Sequence, residues 1–185
     1  MEPQINDKYN TAIFAGGCFW CTEHKLEGIK GVTSVTSGYT GGHTENPTYK
    51  EVITKNTGHL EAVKVEFDNK IISYKKLLDF FWETIDPTDE NGQFADKADQ
   101  YKTAIIYLNN EQKQIAEQSK QELENSEIYS EPIATKILEY KNFYNAEQYH
   151  QQYSLKNPQS YNAYANSPGK VEYFESIKKI KETIK

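Results

Sequence analysis

Apolar residues follow two rhythms along this chain, alternation by two and steps of three and four, and the order in which the rhythms succeed one another predicts the fold. Ala12, Ile13, Phe14 and Ala15 read as a first strand, closed by Gly16-Gly17. Phe19 to Glu27 lacks Gly and Pro and reads as a helix, ended by the punctuation of Gly28 and Gly31. Val32 to Tyr39, rich in Val and Thr, reads as a second strand, and Thr40 to Lys50, with Gly41, Gly42, Asn46 and Pro47, as a loop. Leu60 to Phe67 alternates cleanly, with Glu61, Val63, Val65 and Phe67 on one face and Lys64 and Glu66 on the other. After a turn at Asp68-Asn69-Lys70, Ser73 caps a helix whose core stripe is Tyr74, Leu77, Leu78, Phe81, Trp82 and Ile85, which assigns Trp82 to packing. Asp86-Pro87 stops that helix and opens a long polar loop to Gln100 that contains Asp96.

Tyr101 to Leu108 is a strand apolar on both faces, Asn110 caps a largely solvated helix over Glu111 to Glu124, and Ile133 to Tyr140 is a last strand. Phe143, Tyr144, Tyr149, Tyr153, Tyr161 and Tyr164 then lie scattered among Gln and Asn, and read as a tail buried against the sheet. Tyr173, Ile177, Ile180 and Ile184 form a closing helical stripe, docked on the body. The central order is strand, helix, strand, strand, helix, strand. It predicts an α+β fold, a ferredoxin-like split beta-alpha-beta two-layer sandwich with an appended helix and strand and a C-terminal tail.

Composition narrows the possible partners. With 185 residues, a formal net charge of -6 and a pI near 5.3, the chain is sized for one domain, and its acidity disfavours nucleic acid or an anionic membrane as partner. Met1 to Asn10 is polar and no run reaches transmembrane length, so the expectation is a soluble, uncleaved, cytoplasmic monomer. Two cysteines do not make a disulfide framework, which points to reduced, functional thiols.

Both cysteines lie in Ala15-Gly-Gly-Cys-Phe-Trp-Cys-Thr-Glu23. Cys18 stands at a strand-turn-helix junction, where the unpaired N-H groups and dipole of a helix start favour an anion, so it is expected to ionise more readily than a free cysteine and to act as a nucleophile. Cys21, one turn on, can condense with an oxidised Cys18 to close a disulfide. Phe19 and Trp20 beside the sulfur suit a small apolar substrate. Glu61 begins an apolar strand face, where partial desolvation raises a carboxyl pKa and makes a proton donor near neutral pH. Other readings stay open. The cysteines can be half a zinc site with His24 and one of His43, His59 or His150, two buried apolar residues, or the pair of a thioredoxin-type disulfide oxidoreductase. The tyrosine-rich surface also allows a non-catalytic peptide-binding module.

Gly17-Cys18-Phe19-Trp20, Gly38-Tyr39-Thr40-Gly41-Gly42, Asn46-Pro47-Thr48-Tyr49, Thr57-Gly58-His59-Leu60-Glu61 and Gln100-Tyr101-Lys102-Thr103 closely resemble the peptide methionine sulfoxide reductases of type A. The resemblance runs from about Thr11 through His150-Gln151-Gln152-Tyr153 to Lys156-Asn157-Pro158. It implies a catalytic domain over 11–158, leaving a polar extension over 1–10 and a tail with a docked helix over 159–185. It also implies reduction of methionine sulfoxide, S epimer, in oxidised proteins and as the free amino acid, a repair of oxidative damage. In that role Cys18 attacks the sulfoxide sulfur, Glu61 supplies the proton, Tyr49 and Tyr101 hold the oxygen, Asp96 supports them, and Phe19 and Trp20 enclose the methyl group. Many relatives resolve the sulfenic acid with a distant C-terminal cysteine. This chain has none, so the role falls to Cys21, with thioredoxin or another dithiol as external reductant and no bound cofactor or metal. The sequence departs from the family pattern at Ala98, where glycine is common, and Lys102, where arginine is common.

Overall fold

The computed structural model describes residues 10–184. The N-terminal extension expected over 1–10 therefore lies, but for Asn10, outside the described residues. Strand β1 (Asn10–Gly16) leads into helix α1 (Phe19–Glu27), followed by β2 (Val32–Thr40), the short helix α2 (Tyr49–Ile53), β3 (Leu60–Phe67), α3 (Tyr74–Trp82), β4 (Thr103–Tyr107), α4 (Asn110–Glu124) and β5 (Lys136–Glu139). A short β6 (Phe143–Asn145) and helices α5 (Tyr153–Lys156), α6 (Pro158–Ala165) and α7 (Pro168–Ile184) complete the described chain.

Among the described residues the sheet has the order β5-β4-β1-β3-β2-β6. Its centre, β4-β1-β3-β2, is antiparallel throughout, which is the split beta-alpha-beta arrangement predicted from the order of elements. The appended β5 runs parallel to β4 after the α4 crossover. Apolar alternation divides the two faces. Ala12, Phe14, Val63, Val65, Phe67 and Ile105 face α1, α3 and α4 in the main core, while Ile13, Ala15, Ala62, Ala104 and Ile106 make a smaller cluster on the reverse face. Phe14 stacks on Phe81 of α3 at 4.8 Å between centroids. Trp82 is buried as expected and its indole N-H donates to Ser119 Oγ of α4 at 2.9 Å, so it fastens two helices together.

Several local expectations are corrected. The loop expected over Thr40 to Lys50 ends in α2, because Thr48 and Glu51 form a reciprocal capping box that starts a helix at Tyr49. The cap of α4 is Asn109, whose side chain accepts from Gln112 N at 2.9 Å, rather than Asn110. Tyr101 closes a 3-10 turn (Asp99–Tyr101) before β4 begins, and β5 is shorter than the predicted Ile133 to Tyr140 strand. Ala98 causes no strain where relatives have glycine, since its φ of -161° is extended backbone. The largest correction concerns the aromatic tail. Only Phe143 and Tyr144 join the sheet, as β6 beside β2. That pairing requires Gly38, where an added Cβ would lie 2.4 Å from the Phe143 ring and from the Tyr144 carbonyl oxygen. Beyond β6, Tyr153, Tyr161 and Tyr164 pack over α1, because Trp20 and His24, on the side of the helix turned away from the sheet, offer them aromatic surface.

Candidate active site

The turn after β1 delivers Cys18 to the start of α1. Gly17 makes that turn at φ +84°, and a Cβ there would meet Gln93 Cβ and Cγ at 2.7 Å. Gln93 is buried and its amide ties the 87–100 loop together, accepting from Asp86 N at 2.8 Å and donating to the carbonyls of Asp86 and Gly92 at 2.7 Å. The loop and the cysteine turn are therefore locked face to face. Gly17→Ala is expected to lose about 1–3 kcal/mol of stability, read as a lower midpoint in urea unfolding, through combined backbone strain and collision with Gln93.

Cys18 is the N-cap of α1 with a non-helical ψ of 120°, and its carbonyl accepts from Cys21 N at 3.1 Å. The two thiols are free and buried, close enough for each to shift the other's ionisation. Cys18 thus stands outside the helix, whereas Cys21 lies within its first turn.

Cys18, Phe19, Trp20, Tyr49, Glu61, Asp96 and Tyr101 line one cavity of about 140 Å³ together with Tyr164. Seven of the eight residues singled out from the sequence thus converge, while Cys21 opens instead onto a neighbouring groove beneath α6 and α7. Glu61 is 1% exposed, and one of its carboxyl oxygens accepts from Phe19 N, the first N-H of α1, at 3.1 Å. Burial outweighs that hydrogen bond and, with the nearby charges of Asp96 and Cys21, pushes the Glu61 carboxyl up to about 8. It is a neutral acid at pH 7. Burial together with Glu61 raises the phenols of both Tyr49 and Tyr101, so both stay protonated donors. Asp96 accepts a hydrogen bond from Tyr164, whose side chain lines the cavity beside Cys18. Lys102 pairs with Asp99 at 2.7 Å through a single contact.

The charge on the cysteines is distributed otherwise than the helix start alone predicts. Burial, the Cys21 side chain and Glu61 push the Cys18 thiol well up, whereas the neighbouring Cys18 thiol, opposed by burial and reinforced by Lys170, brings Cys21 down to about 6. The first N-H of the helix is already occupied by Glu61, which removes part of the stabilisation expected at Cys18. The pair therefore holds one proton on Cys18 and the negative charge on Cys21.

Four further residues that the sequence does not assign to the site shape it: Glu147 is unmarked there, and His150, Tyr153 and Tyr164 read in other roles. Glu147 accepts from Tyr49 N and from Tyr39 OH, each at 2.8 Å, and these bonds hold its carboxyl low despite burial. His150 accepts from the Trp20 indole N-H at 3.1 Å, and Tyr153 stacks on Trp20 at 3.7 Å with planes 6° apart. Tyr164 closes the cavity. The remaining histidines have other work: His59 accepts from Gly42 N at 3.1 Å and bonds to the Thr44 carbonyl at 2.8 Å, and His24 meets Ser154 at 3.1 Å. Among the described residues no cluster of three His, Cys, Asp or Glu side chains surrounds the cysteines.

Residues 10–182 match the family described as peptide methionine sulfoxide reductase. The chain is 50% identical to the peptide methionine sulfoxide reductase MsrA of Bacillus velezensis over 171 residues, 92% of this chain and 97% of the relative. Among solved structures, methionine sulfoxide reductase A of Corynebacterium diphtheriae superposes with a TM-score of 0.73 at 31% identity, over 83% of this chain and 77% of that one. Reduced Mxr1 of Saccharomyces cerevisiae gives 0.72 at 34%, over 82% and 87%. Mxr1 has also been solved in complex with Trx2, a structure matched at 23% identity and a TM-score of 0.51, over 82% and 91%. A buried acid, a cysteine at a helix start and two tyrosines in one small cavity thus occur on a chain that these relatives match almost from end to end, and the chain belongs to the peptide methionine sulfoxide reductase family, with the MsrA enzymes.

Proposed function

We propose that the cavity around Cys18 reduces the S epimer of methionine sulfoxide, in proteins and as the free amino acid, and that the Cys18–Cys21 pair carries the two electrons. The observation that carries this reading is the convergence of a neutral buried acid, two phenol donors and the Cys18 sulfur on one cavity of about 140 Å³. Cys18 gives its proton to the neighbouring Cys21 and attacks the sulfoxide sulfur. Glu61 protonates the oxygen, which Tyr49 and Tyr101 hold as charge develops. The hydroxyl then passes to the Cys18 sulfur as both the substrate sulfur-oxygen bond and the newly formed sulfur-sulfur bond break, so that Cys18 is a sulfenic acid and methionine leaves. Phe19 and Trp20 face the substrate methyl group and select the epimer, and Asp96 orients Tyr164 beside the sulfur.

Cys21 then resolves Cys18, and the disulfide is reduced from outside by a thioredoxin-type dithiol, with no bound cofactor. The complex of Mxr1 with Trx2 supports that class of reductant. Residues 11–158 make the catalytic domain of a cytoplasmic monomer, and the 159–185 tail closes over it. Among the described residues no helix is long and apolar enough to cross a membrane.

The test mixes reduced protein with excess S or R methionine sulfoxide peptide without added reductant. Stoichiometric methionine from the S epimer alone, with Cys18 and Cys21 joined on mass mapping, is the expected result. Methionine with Cys21 still free removes Cys21 from the cycle, and none from either epimer overturns the assignment.

A further inference from the structure

Cys18 and Cys21 both line a small cleft with Asp96, Tyr164 and Lys170, and beyond it each reaches a larger space of its own. Cys18 lines the substrate cavity, while Cys21 lines a groove of about 410 Å³ between α1 and the two C-terminal helices. Into that junction projects Lys170, the third residue of α7, with its ammonium 3.0 Å from Cys21 Sγ. The side chain is fixed on two more sides, since the ammonium stands 5.4 Å from the Phe94 ring centroid and 5.5 Å from that of Tyr164. Among the described residues Lys170 forms no ion pair with a carboxylate, so its nearest anionic partner is the sulfur.

We propose that Lys170 is a positioning residue for the cysteine pair: its ammonium fixes the pair's negative charge on Cys21, where that sulfur both receives the Cys18 proton in the first step and attacks the oxidised Cys18 in the second. The inference rests on the resolving role given to Cys21 above. In the second step Cys21 gives up the proton it took in the first, its sulfur bonds to the Cys18 sulfur, the Cys18 sulfur-oxygen bond breaks, and the oxygen leaves as water carrying that proton. Cys21 is oxidised and Cys18 reduced, to the disulfide level, and no further reactant is needed. The other titratable groups around Cys21 are Cys18, Tyr161 and Tyr164 at close range, Asp96 on the far side of the cleft they share, bonded to Tyr164, and the Glu61 carboxyl beyond them. His24, Lys25, Lys178 and Glu175 lie further along the groove. Glu61 is protonated at neutral pH, and neither phenol ionises there, which leaves Lys170 as the close countercharge.

The test compares Lys170→Met and Lys170→Arg with the parent in single turnover with the S epimer and, separately, in alkylation of Cys21 by iodoacetamide mapped by mass, both from pH 5 to 9. Lys170→Met is expected to slow Cys21 alkylation and disulfide formation about tenfold at pH 5 and about twofold at pH 7, with the acid limb of each moved up by about one pH unit and the deficit gone by pH 9. Lys170→Arg keeps the parent limb. A deficit equal at every pH, or an unmoved limb, overturns the proposal, because loss of packing alone lowers rates without displacing a titration. Alkylation involves no sulfoxide. If the parent itself released no methionine, the reductase reading would fail while the alkylation limbs still decided whether Lys170 holds Cys21 as an anion. Should Lys170→Met not fold, Lys170→Gln supplies the same comparison.

Discussion

Cys18→Ser is expected to reduce release of methionine from the S sulfoxide by at least about 10⁴-fold, to a rate measurable only with enzyme in excess over long incubation. A serine hydroxyl in that position is neither ionised near pH 7 nor able to take the oxygen as a stable acid. Cys21 does not substitute, although it is the more acidic thiol, at about 6. Its sulfur opens onto the groove beneath α6 and α7, away from Glu61, Tyr49 and Tyr101, so it meets no substrate whose oxygen can be protonated. Acidity and reactivity are separated here by geometry. The variant's unfolding midpoint should stay close to the parent's, which makes the loss chemical, and retention of even a hundredth of the parent rate would place the nucleophile elsewhere.

Glu61→Gln is expected to lower kcat/KM by about 10²- to 10⁴-fold, the usual contribution of a positioned general acid. The amide keeps the volume and still accepts from Phe19 N, so the loss reports the proton. The protonated carboxyl is the active form. Parent activity should therefore fall as pH rises through about 8, and the variant should lack that limb. Stability gives an independent reading. Between the ordinary carboxyl value of 4.5 and about 8 the native state holds a proton that the unfolded chain has lost, so this group's contribution is fully present below the window. It declines by about 1.4 kcal/mol per pH unit across it. Cys21 acts with the opposite sign between about 6 and 9, because its native thiolate forms before the unfolded one. The difference between parent and Glu61→Gln unfolding curves, measured in urea at several pH values, isolates the glutamate. A difference independent of pH would mean that the carboxyl titrates normally.

The parts of this site that could be read from the sequence share a physical property: each is specified by residues close together in the chain. Gly16-Gly17-Cys18 between an apolar run and a breaker-free segment announces a strand-turn-helix junction. Period-two alternation alone placed Glu61 on the core face of β3, where it is buried. The capping box at Thr48 and Glu51 was equally local, and with it Tyr49 could have been set at a helix start. What escaped is long-range. Glu147 and Lys170 sit in polar stretches with no periodicity, and only the folded chain brings them to Tyr49 and Cys21, 98 and 149 residues away. The tail's tyrosines carry no rhythm that says which surface they cover. The distribution of charge between the cysteines was misjudged for the same reason, since a helix dipole is a local quantity and desolvation is not.

The contact between β2 and β6 sets a limit on how this chain can drift in sequence. Polar positions on the outer side of α4 can exchange among many residues with little effect on anything beyond that helix. Residue 38 cannot, because there a single methyl would stand 2.4 Å from Phe143 and the Tyr144 carbonyl and push β6 off the sheet edge. With β6 would go the anchoring of Glu147, His150 and Tyr153, hence the orientation of Tyr49 and Trp20, although residue 38 touches neither the sulfur nor the acid. Tolerance to substitution in this protein is thus poorly measured by distance from the reacting atoms, and the least replaceable position of the second strand is one that has no side chain.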